Sequence, residues 1–520
     1  MDTSHARQRD MIMTRVGKGF CFLLLMNLAF HTPLTFAASA LALPLDARLR
    51  VFEAWVKNLM EEKNLPSLSL AVISGQELIY ARAFGYAAVE EGRAATLSTP
   101  YRIASLTKLF TSIAVMQLVE KGELSLSTKV VDRIPELRSL RSEESWVEAI
   151  TVRSLLTHTA GLPTHPALPL GPGEVDPSEA RRRLLSGLAN QELLFHPNRY
   201  SKYSNLGLDL AGLIVERSSG LPFEAYLQRF IFDPLAMSSA HFPNTPAALN
   251  LPEPATGYGR RIYQMRRGDE FPEMATVLGH PAAGLITSTE DLVQFLRWHF
   301  RALGGEDDRL LAAETLAEMQ TVHFAPLPFE QGPLLSAVST FFANALSLGG
   351  TGLGYFRDRN LVVHSGGLWG FRTELLMDNE AALGMVVLAN ASDTPLSLHE
   401  PASVLRRLYA MVAADEVPPE RLKPPLKGPS LSCTDYEGRY DDGHHWRSYI
   451  AAGDGSLFLV NLADEAPLQS ALFLTASGQD RFTAHTAQGF YAGELTVEFL
   501  RNSEGCIHAL RLNRELLPRR

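Results

Sequence analysis

The stretch that decides the fold is YRIASLTKLFTSIAVMQLVEKGELSL, residues 101–126. Its apolar residues recur at the spacing of one helical face: Leu109, Ile113, Met116 and Val119. Gly122 predicts the end of this helix. Ser105 and Lys108 lie three residues apart at its start, so both side chains are expected on the same face. The stretch therefore predicts a mostly buried helix with two polar residues in its first turn.

A serine and a lysine in this arrangement have a chemical use. A serine hydroxyl is a poor nucleophile until a neighbouring base takes its proton. A lysine can be that base when burial and nearby positive charge disfavour its ammonium form. The helix N-terminus also offers N–H groups to an acyl oxygen that gains negative charge. A serine that caps the helix, followed by an unrelated lysine, explains the same residues, so other motifs must decide.

The first 42 residues have the organisation of a secretory signal peptide. A basic segment around Arg15 precedes the apolar run FCFLLLMNLAF, residues 20–30, and small residues at 38–42 suit cleavage. The run is shorter than the roughly 20 residues that a membrane span needs. Residues 1–42 are therefore predicted to be a signal peptide of a secreted or periplasmic protein with no stable membrane span after cleavage. A buried N-terminal helix is the alternative.

Composition narrows the class of protein. The chain has 520 residues, of which 46% are hydrophobic, so it can bury a large core and is expected to form two domains. Removing residues 1–42 changes the net charge from −9 to −11, which argues against a nucleic-acid partner. Cys433 and Cys506 then remain, and the sequence leaves open whether they pair. Their spacing fits no metal site, and no cofactor is predicted.

The remaining pattern predicts an α+β fold, in which helices and a helical subdomain flank an antiparallel sheet. A helix from residue 45 precedes two strand-like runs, LSLAVIS and LIYARAF, and further short runs lie between residues 346 and 390. A proline-rich linker is predicted at 416–429, between a main domain at 43–415 and a small antiparallel all-β domain at 430–520. His444 and His445 fall in a turn of that domain, without acidic or cysteine neighbours.

Two further stretches hold polar residues that could face a cavity. In YSKYSNLGLDLAGLIVE, Tyr203 and Asn205 lie two apart where a loop enters a helix. A packing tyrosine and a helix cap are the alternative for this pair. In TVRSLLTHTAGLP, His158 is either catalytic or a structural hydrogen-bonding residue. In HSGGLWGF, residues 364–371, the glycines either let a substrate backbone approach a strand edge or form a plain turn.

Taken together, the motifs Ser-x-x-Lys, Tyr-x-Asn and His-Ser-Gly occur in the order 105, 203, 364. This order and spacing resemble those of the penicillin-recognising serine hydrolases. The class C β-lactamase and D-peptidase branch is most similar, because its second motif is Tyr-x-Asn. The flanking phrases LLTHTAGL, YSNLGLDLAGLIVE and AAGLITSTEDLVQFL also resemble segments of that family. The resemblance covers roughly residues 45–415 and implies a β-lactamase/transpeptidase-like fold.

The resemblance implies a role for each motif residue. Ser105 would be the acylated nucleophile, and its N–H would form the oxyanion hole with the N–H of Gly367. Lys108 and Tyr203 would share proton transfer, while Asn205 would orient Lys108 and hold a substrate amide. At the strand edge formed by HSGGLWGF, the substrate would contact Ser365 and Gly366.

His364 stands where β-lactamases have the lysine of Lys-Thr-Gly. This replaces a permanent cation by a group with a pKa near 6.5. If its imidazolium binds a substrate carboxylate, kcat/KM for such a substrate should fall as the pH rises through about 6 to 7. Otherwise Arg372, just beyond the glycines, is the residue expected to set specificity. The departure favours an esterase or a D-amino-acid-specific peptidase over an efficient β-lactamase.

The sequence thus predicts an exported serine hydrolase that acts through an acyl-enzyme on a small-molecule or peptide substrate. That substrate would be a D-amino-acid peptide, an ester or a β-lactam, with the cell wall as one source of such peptides. The alternative is a protein of the same fold that binds penicillin or cell-wall peptides without turnover. The chain has no Gly-x-Ser-x-Gly, His-Glu-x-x-His or phosphate-loop motif, which argues against a metal or nucleotide enzyme. The oligomeric state is left open.

Overall fold

The computed structural model describes most of the chain from residue 44 onward. The described ranges are 44–166, 176–259, 280–324, 350–358, 361–368, 370–392, 404, 408–409, 435–442, 447–453, 455–462, 471–486, 493–513 and 515–520. They form two compact units, one within Val56–Ala410 and the other within Met1–Trp55 and Met411–Arg520. The predicted signal peptide and linker, together with Cys433, His444 and His445, lie outside the described residues. The predicted domain boundaries therefore stay predictions.

The unit within Val56–Ala410 contains an eight-stranded antiparallel sheet, with strands in the order β3-β2-β1-β11-β10-β9-β8-β7. Two further pairs join β4 to β6 and β5 to β12. The strands in chain order are β1 (Ser67–Ser74), β2 (Glu77–Ala88), β3 (Arg93–Ala94), β4 (Tyr101–Arg102), β5 (Tyr258–Gly259), β6 (Ile286–Thr287), β7 (Gly350–Thr351), β8 (Phe356–Asp358), β9 (Leu361–Leu368), β10 (Phe371–Asp378), β11 (Leu383–Ala389) and β12 (Ala391–Ser392).

Strands β1 and β11, the third and fourth strands in this order, are rich in apolar residues. SLSLAVIS in β1 and LGMVVLA in β11 are buried along almost their whole length. Strands read this way when both faces of their sheet are covered. Because β1 pairs with β11, from Leu68 opposite Ala389 to Ser74 opposite Leu383, the sheet joins the beginning of this unit to its end.

The structure describes twelve α-helices, of which α1 crosses the boundary between the two units. They are α1 (Leu45–Lys63), α2 (Thr107–Glu120), α3 (Val130–Arg133), α4 (Glu144–Glu148), α5 (Val152–Leu156), α6 (Pro177–Gly187), α7 (Asn205–Ser219), α8 (Phe223–Leu227), α9 (Asp233–Leu235), α10 (His280–Ala283), α11 (Thr289–Leu303) and α12 (Ala313–Gln320). Residues 107–118 of α2 are all buried, so this helix is surrounded by protein. It contacts α7 and α10, whereas α11 packs on β1 and β11. The predicted α+β class is confirmed.

One buried asparagine, just after β11, connects β1 and β2 to the segment that holds Thr256. Asn390 is 0% exposed, and its Oδ1 accepts hydrogen bonds from the N–H of Ser67 at 2.8 Å and from the Ser67 hydroxyl at 2.7 Å. Its Nδ2 donates to the backbone carbonyls of Tyr86, Ala87 and Thr256 at 3.0–3.2 Å. The Ala87 carbonyl also accepts from the Thr256 N–H at 2.8 Å. Asn390 therefore supplies partners to several backbone groups at once, which matters because buried polar groups need a partner.

Replacing Asn390 by alanine should therefore destabilise the protein strongly. The change removes both donors and the acceptor, and each buried group left unpaired costs about 1–3 kcal/mol. We expect the free energy of unfolding to fall by about 3 kcal/mol or more, measured by urea unfolding. Asn190→Ala is the matched control, because Asn190 is exposed. Equal stability of the two variants would show that the network around Asn390 contributes little.

The second unit contains an eight-stranded antiparallel meander. Its strands are β13 (Gly438–Asp441), β14 (Arg447–Gly453), β15 (Ser456–Asn461), β16 (Leu472–Gly478), β17 (Arg481–Thr486), β18 (Gly493–Arg501), β19 (Ile507–Leu512) and β20 (Glu515–Pro518). A bridge between Tyr440 and Arg519 brings the first strand to the end of the last, so the sheet is barrel-like. Aliphatic and aromatic side chains fill the core, in which Tyr436 and Phe482 both pack on Phe499. The predicted small all-β domain is confirmed as a fold.

The sequence leaves open a disulfide between Cys433 and Cys506, and it predicts no stable membrane span after cleavage. Cys506 is exposed and free, while its possible partner Cys433 lies outside the described residues. Across the ranges that the structure describes, we find no helix with the length and apolar character of a membrane span.

Candidate active site

Ser105 lies in a tight 3₁₀ turn, Ala104–Leu106, and α2 begins directly after it at Thr107. Ala104 has φ of +50°, a left-handed conformation that is uncommon for a residue with a side chain. The Thr107 hydroxyl holds the turn, because it donates to the Ala104 carbonyl at 2.6 Å and accepts from the Leu285 N–H at 3.1 Å. The strained turn leaves Ser105 half-buried while the residues on either side of it are fully buried.

Strand β9 runs against this turn. A side chain at Gly366 would place its Cβ 2.3 Å from the Ile103 carbonyl oxygen and 2.1 Å from the Thr373 hydroxyl. That hydroxyl, on β10, donates to the same Ile103 carbonyl at 2.9 Å. Glycine is therefore required here, because only its backbone can approach so closely. Gly367 follows and is exposed, so the two predicted oxyanion donors, Ser105 and Gly367, lie on segments in contact.

The structure brings the predicted nucleophile and its two predicted proton-transfer groups together. Lys108 Nζ lies 3.0 Å from Ser105 Oγ, and the Tyr203 hydroxyl donates to the same oxygen at 2.8 Å. Lys108 Nζ also lies 4.9 Å from the centre of the Tyr203 ring. Three side chains from two distant segments therefore meet at one serine oxygen.

Burial favours the neutral forms of both Lys108 and Tyr203, which are a deprotonated amine and a protonated phenol. Lys108 is 0% exposed, and burial lowers its pKa to about 7, although the nearby charge of Asp209 acts in the opposite direction. Burial raises the pKa of Tyr203 above its usual value, so its hydroxyl keeps its proton at neutral pH. The amine can thus accept a proton near neutral pH, whereas the phenol can donate one.

Asn205 is the first residue of α7, and Ser204 caps this helix by accepting from the Gly207 N–H at 3.0 Å. Asn205 Nδ2 lies 3.2 Å from Nδ1 of His165, an exposed residue. Its Oδ1 is buried without a hydrogen-bond partner among the described residues. Among the described residues, Asn205 makes no hydrogen bond to Lys108, so the predicted orientation of Lys108 by Asn205 stays a prediction.

His158 supports the loop that carries Tyr203. Its Nδ1 accepts from the Ser204 N–H at 3.2 Å, and its ring centre lies 4.6 Å from that of Tyr203. Burial and the charge of Lys108 lower its pKa well below the usual value, so it stays neutral. These contacts favour the structural interpretation of this histidine.

His364 lies near Lys108, but its environment does not suit the predicted charge. It is 2% exposed, its Nδ1 donates to the Ser365 carbonyl at 2.8 Å, and its ring packs 5.0 Å from that of Phe356. Burial and the charge of Lys108 lower its pKa to about 3. The titration expected between pH 6 and 7 therefore moves out of that range, because burial disfavours the imidazolium.

Arg372 is held by its own hairpin. It lies opposite Gly367 in the ladder of β9 and β10, and its Nη1 donates to the carbonyls of Leu368 at 3.0 Å and Phe371 at 2.9 Å. Its predicted role in specificity would require the guanidinium to serve a substrate as well as these carbonyls.

Sequence analysis missed Asp209 and Ala282. Asp209 is a carboxylate in the buried face of α7, and the Ala282 carbonyl accepts from Lys108 Nζ at 2.7 Å. A charged residue between Leu208 and Leu210 was the available signal for Asp209, whereas a backbone carbonyl leaves no signal in a sequence. No cluster of His, Cys, Asp or Glu suited to a metal ion occurs among the residues whose structure is described.

Known proteins share this architecture and parts of this sequence. The "Protein flp" of Staphylococcus aureus (strain NCTC 8325 / PS 47) is 25% identical over 340 residues, which are 64% of this chain and 61% of that protein. Esterase EstB of Burkholderia gladioli is 34% identical over 232 residues, or 42% of this chain and 56% of EstB. The chain thus spans less than two thirds of the length of these relatives.

A solved structure, the octameric penicillin-binding protein homologue from Pyrococcus abyssi, matches with a TM-score of 0.55. The match covers 90% of this chain and 99% of that chain at 24% identity, so the likeness concerns the fold. The beta-lactamase family model matches residues 52–408, which is more than half of the 520 residues and includes every predicted site residue. This protein belongs to the beta-lactamase family.

Proposed function

We propose that this protein is an exported serine hydrolase that forms an acyl-enzyme at Ser105 with an uncharged ester or amide substrate. One observation carries the proposal: Ser105 Oγ is within hydrogen-bond distance of both Lys108 Nζ and the Tyr203 hydroxyl, at 3.0 and 2.8 Å. A nucleophile in contact with a base is the signature of covalent catalysis. Membership of the beta-lactamase family and similarity to an esterase support hydrolase activity.

The pKa directions suggest how the proton moves. Neutral Lys108 takes the proton of Ser105 as Oγ attacks the acyl carbon, and Tyr203 hands its proton to the leaving oxygen or nitrogen. The phenol regains a proton from the lysine ammonium, which restores the neutral amine. In deacylation, water attacks the acyl-enzyme and the same proton transfers occur. In each addition step, the N–H groups of Ser105 and Gly367 would stabilise the negative oxygen.

The charges around the nucleophile favour substrates without a carboxylate. Lys108 is partly neutral at pH 7, His364 is neutral, and Arg372 donates to backbone carbonyls. A β-lactam or a peptide with a free carboxylate would need a cation to bind that carboxylate. In the described part of the site, Lys108, His364 and Arg372 do not readily supply one. An ester or an amide without that group needs none.

Turnover of a substrate panel tests this function. The mature protein is incubated with p-nitrophenyl esters, D-Ala and D-Phe amides, and nitrocefin, and product is followed over time. We expect hydrolysis of esters or amides and a much lower kcat/KM for nitrocefin, which carries a carboxylate. Efficient nitrocefin hydrolysis without ester hydrolysis would contradict the proposed preference.

The same panel separates an enzyme from a protein that binds without turnover. A non-turnover protein would give one equivalent of product and remain covalently modified at Ser105. Intact-protein mass spectrometry after the reaction detects that modification. A persistent adduct with every substrate would favour the penicillin- or peptide-binding alternative over the proposed hydrolase.

The pH dependence should report Lys108 and not His364. Because the base must be neutral, kcat/KM for an ester should rise as the pH passes through about 7, the pKa of Lys108. A carboxylate-bearing substrate should show the same rise and no additional fall between about pH 6 and 7, since His364 stays neutral.

The control for this prediction is His364→Asn, which keeps a polar group but cannot become a cation. Its profile should keep the wild-type midpoint. If the wild-type profile for the carboxylate substrate falls through about pH 6 to 7 and this fall disappears in His364→Asn, the histidine is charged.

Export is the remaining part of the proposal, and the sequence pattern of residues 1–42 supports it. Expression of the full chain with its leader, followed by N-terminal sequencing of extracellular or periplasmic protein, tests it. We expect a mature N-terminus near residue 43. An intact leader on cytoplasmic protein would contradict export.

A further inference from the structure

A buried carboxylate lies one helical turn beyond Asn205. Asp209 is 2% exposed in the second turn of α7, between Leu208 and Leu210. A charged group is costly to bury unless it is paired and hydrogen-bonded. Asp209 Oδ1 accepts from the N–H of Ala282 at 3.1 Å. The carboxylate therefore contacts α10, a short helix distant from it in sequence.

Ala282 connects this carboxylate to the base. Its N–H points to Asp209, and its carbonyl accepts from Lys108 Nζ at 2.7 Å. The preceding carbonyl, of Pro281, accepts from the Thr111 hydroxyl at 2.7 Å. Helices α7 and α10 are also in close contact, because a Cβ at Gly212 would lie 2.1 Å from the Pro281 ring. The turn that holds the Lys108 amine is thus fixed from both α2 and α7.

We infer that Asp209 is a positioning residue for the reaction, which holds the Ala282 carbonyl against Lys108 and places one negative charge beside the buried amine. The inference rests on the proposed function, because it assigns to Asp209 an effect on the base of that reaction. Asp209 itself does not touch the nucleophile. Its effect passes through Ala282 and through space.

The electrostatics agree with this geometry. The charge of Asp209 raises the pKa of Lys108 against the larger lowering by burial. The other titratable groups that interact with Lys108 are Tyr203, His158, His165 and His364. The phenol has a raised pKa and the three histidines have lowered ones, so they are neutral near pH 7. Among these described groups, Asp209 is therefore the one whose negative charge balances the Lys108 ammonium.

Asp209→Asn separates charge from hydrogen bonding. The amide oxygen still accepts from the Ala282 N–H, but the charge is gone. The rate of Ser105 labelling by a fluorophosphonate is measured from about pH 5 to about pH 9, a range that brackets the amine's titration. The midpoint, expected near 7 in the unmodified protein, should move at least about one unit toward acid, because the ammonium loses its counter-charge. An unchanged midpoint overturns the inference.

Asp209→Glu tests position with the charge retained, and it keeps the inference testable if Asp209→Asn does not fold. The longer side chain displaces the carboxylate from Ala282. We expect a midpoint within about half a unit of the wild-type value and a plateau rate about tenfold lower, since a misplaced base is less effective. A wild-type plateau would overturn the positioning role.

Two controls give these results their meaning. Asp291→Asn removes another buried helix carboxylate, one that binds Ser239 and Thr287, and should lower stability without moving the midpoint. A similar midpoint shift in this control would overturn the inference. Ser105→Ala separates the two proposals: if it abolishes labelling while Asp209→Asn leaves the midpoint unchanged, the function stands and the role of Asp209 fails.

Discussion

Ser105→Ala should abolish both hydrolysis and covalent labelling while leaving the fold intact. The hydroxyl is the atom on which Lys108 and Tyr203 converge, so neither group can act without it. Removing the nucleophile of such a unit lowers kcat by a factor on the order of 10⁴ to 10⁶. The measurements are ester hydrolysis and fluorophosphonate labelling followed by mass spectrometry.

The control for this variant is Ser127→Ala, which changes an exposed serine of the same unit. It should retain wild-type rates. Circular dichroism and thermal unfolding should show that Ser105→Ala is folded, because Ser105 is half-buried and loses only an oxygen. Labelling of Ser105→Ala at the wild-type rate would contradict the assignment of the nucleophile.

Lys108→Ala and Tyr203→Phe should each reduce acylation roughly 10³-fold or more, and the double variant should be little worse than the poorer single variant. Both side chains act on one oxygen, so losing either interrupts the same proton path. Single-turnover acylation rates of the four proteins give the coupling between the two residues. Losses that multiply fully would show that the residues act independently.

Lys108→Arg provides the matched comparison for the lysine. A guanidinium stays charged at any accessible pH, so it cannot accept the serine proton although it keeps a cation. We therefore expect no rescue relative to Lys108→Ala. A substantial recovery of rate would show that the positive charge, and not proton acceptance, is what position 108 supplies. Thermal unfolding of each variant separates this result from loss of the fold, since Lys108 is fully buried.

The contrast between His364 and Lys108 shows how far local sequence can be taken. Both positions were identified from short motifs, and both lie at the site. The imidazolium expected for His364 between pH 6 and 7 is absent, because the pKa depends on burial against Phe356 and on the charge of Lys108. Lys108 lies some 250 residues away along the chain. Similarly, the spacing of Ser105 suggested the start of a helix, but Ser105 lies in the strained turn just before it.

The sequence by itself determined the fold class and the residues that meet at the nucleophile. A high density of apolar residues marks α2, β1 and β11, and three short motifs locate Ser105, Tyr203 and His364. These signals are local, so they survive in a one-dimensional pattern. Tertiary structure decided which groups are charged, that Asn205 pairs with His165, and that Asp209 reaches Lys108 through the backbone of Ala282. The reason is physical: burial, charge and backbone hydrogen bonds between distant segments depend on three-dimensional distance, which spacing along the chain does not encode.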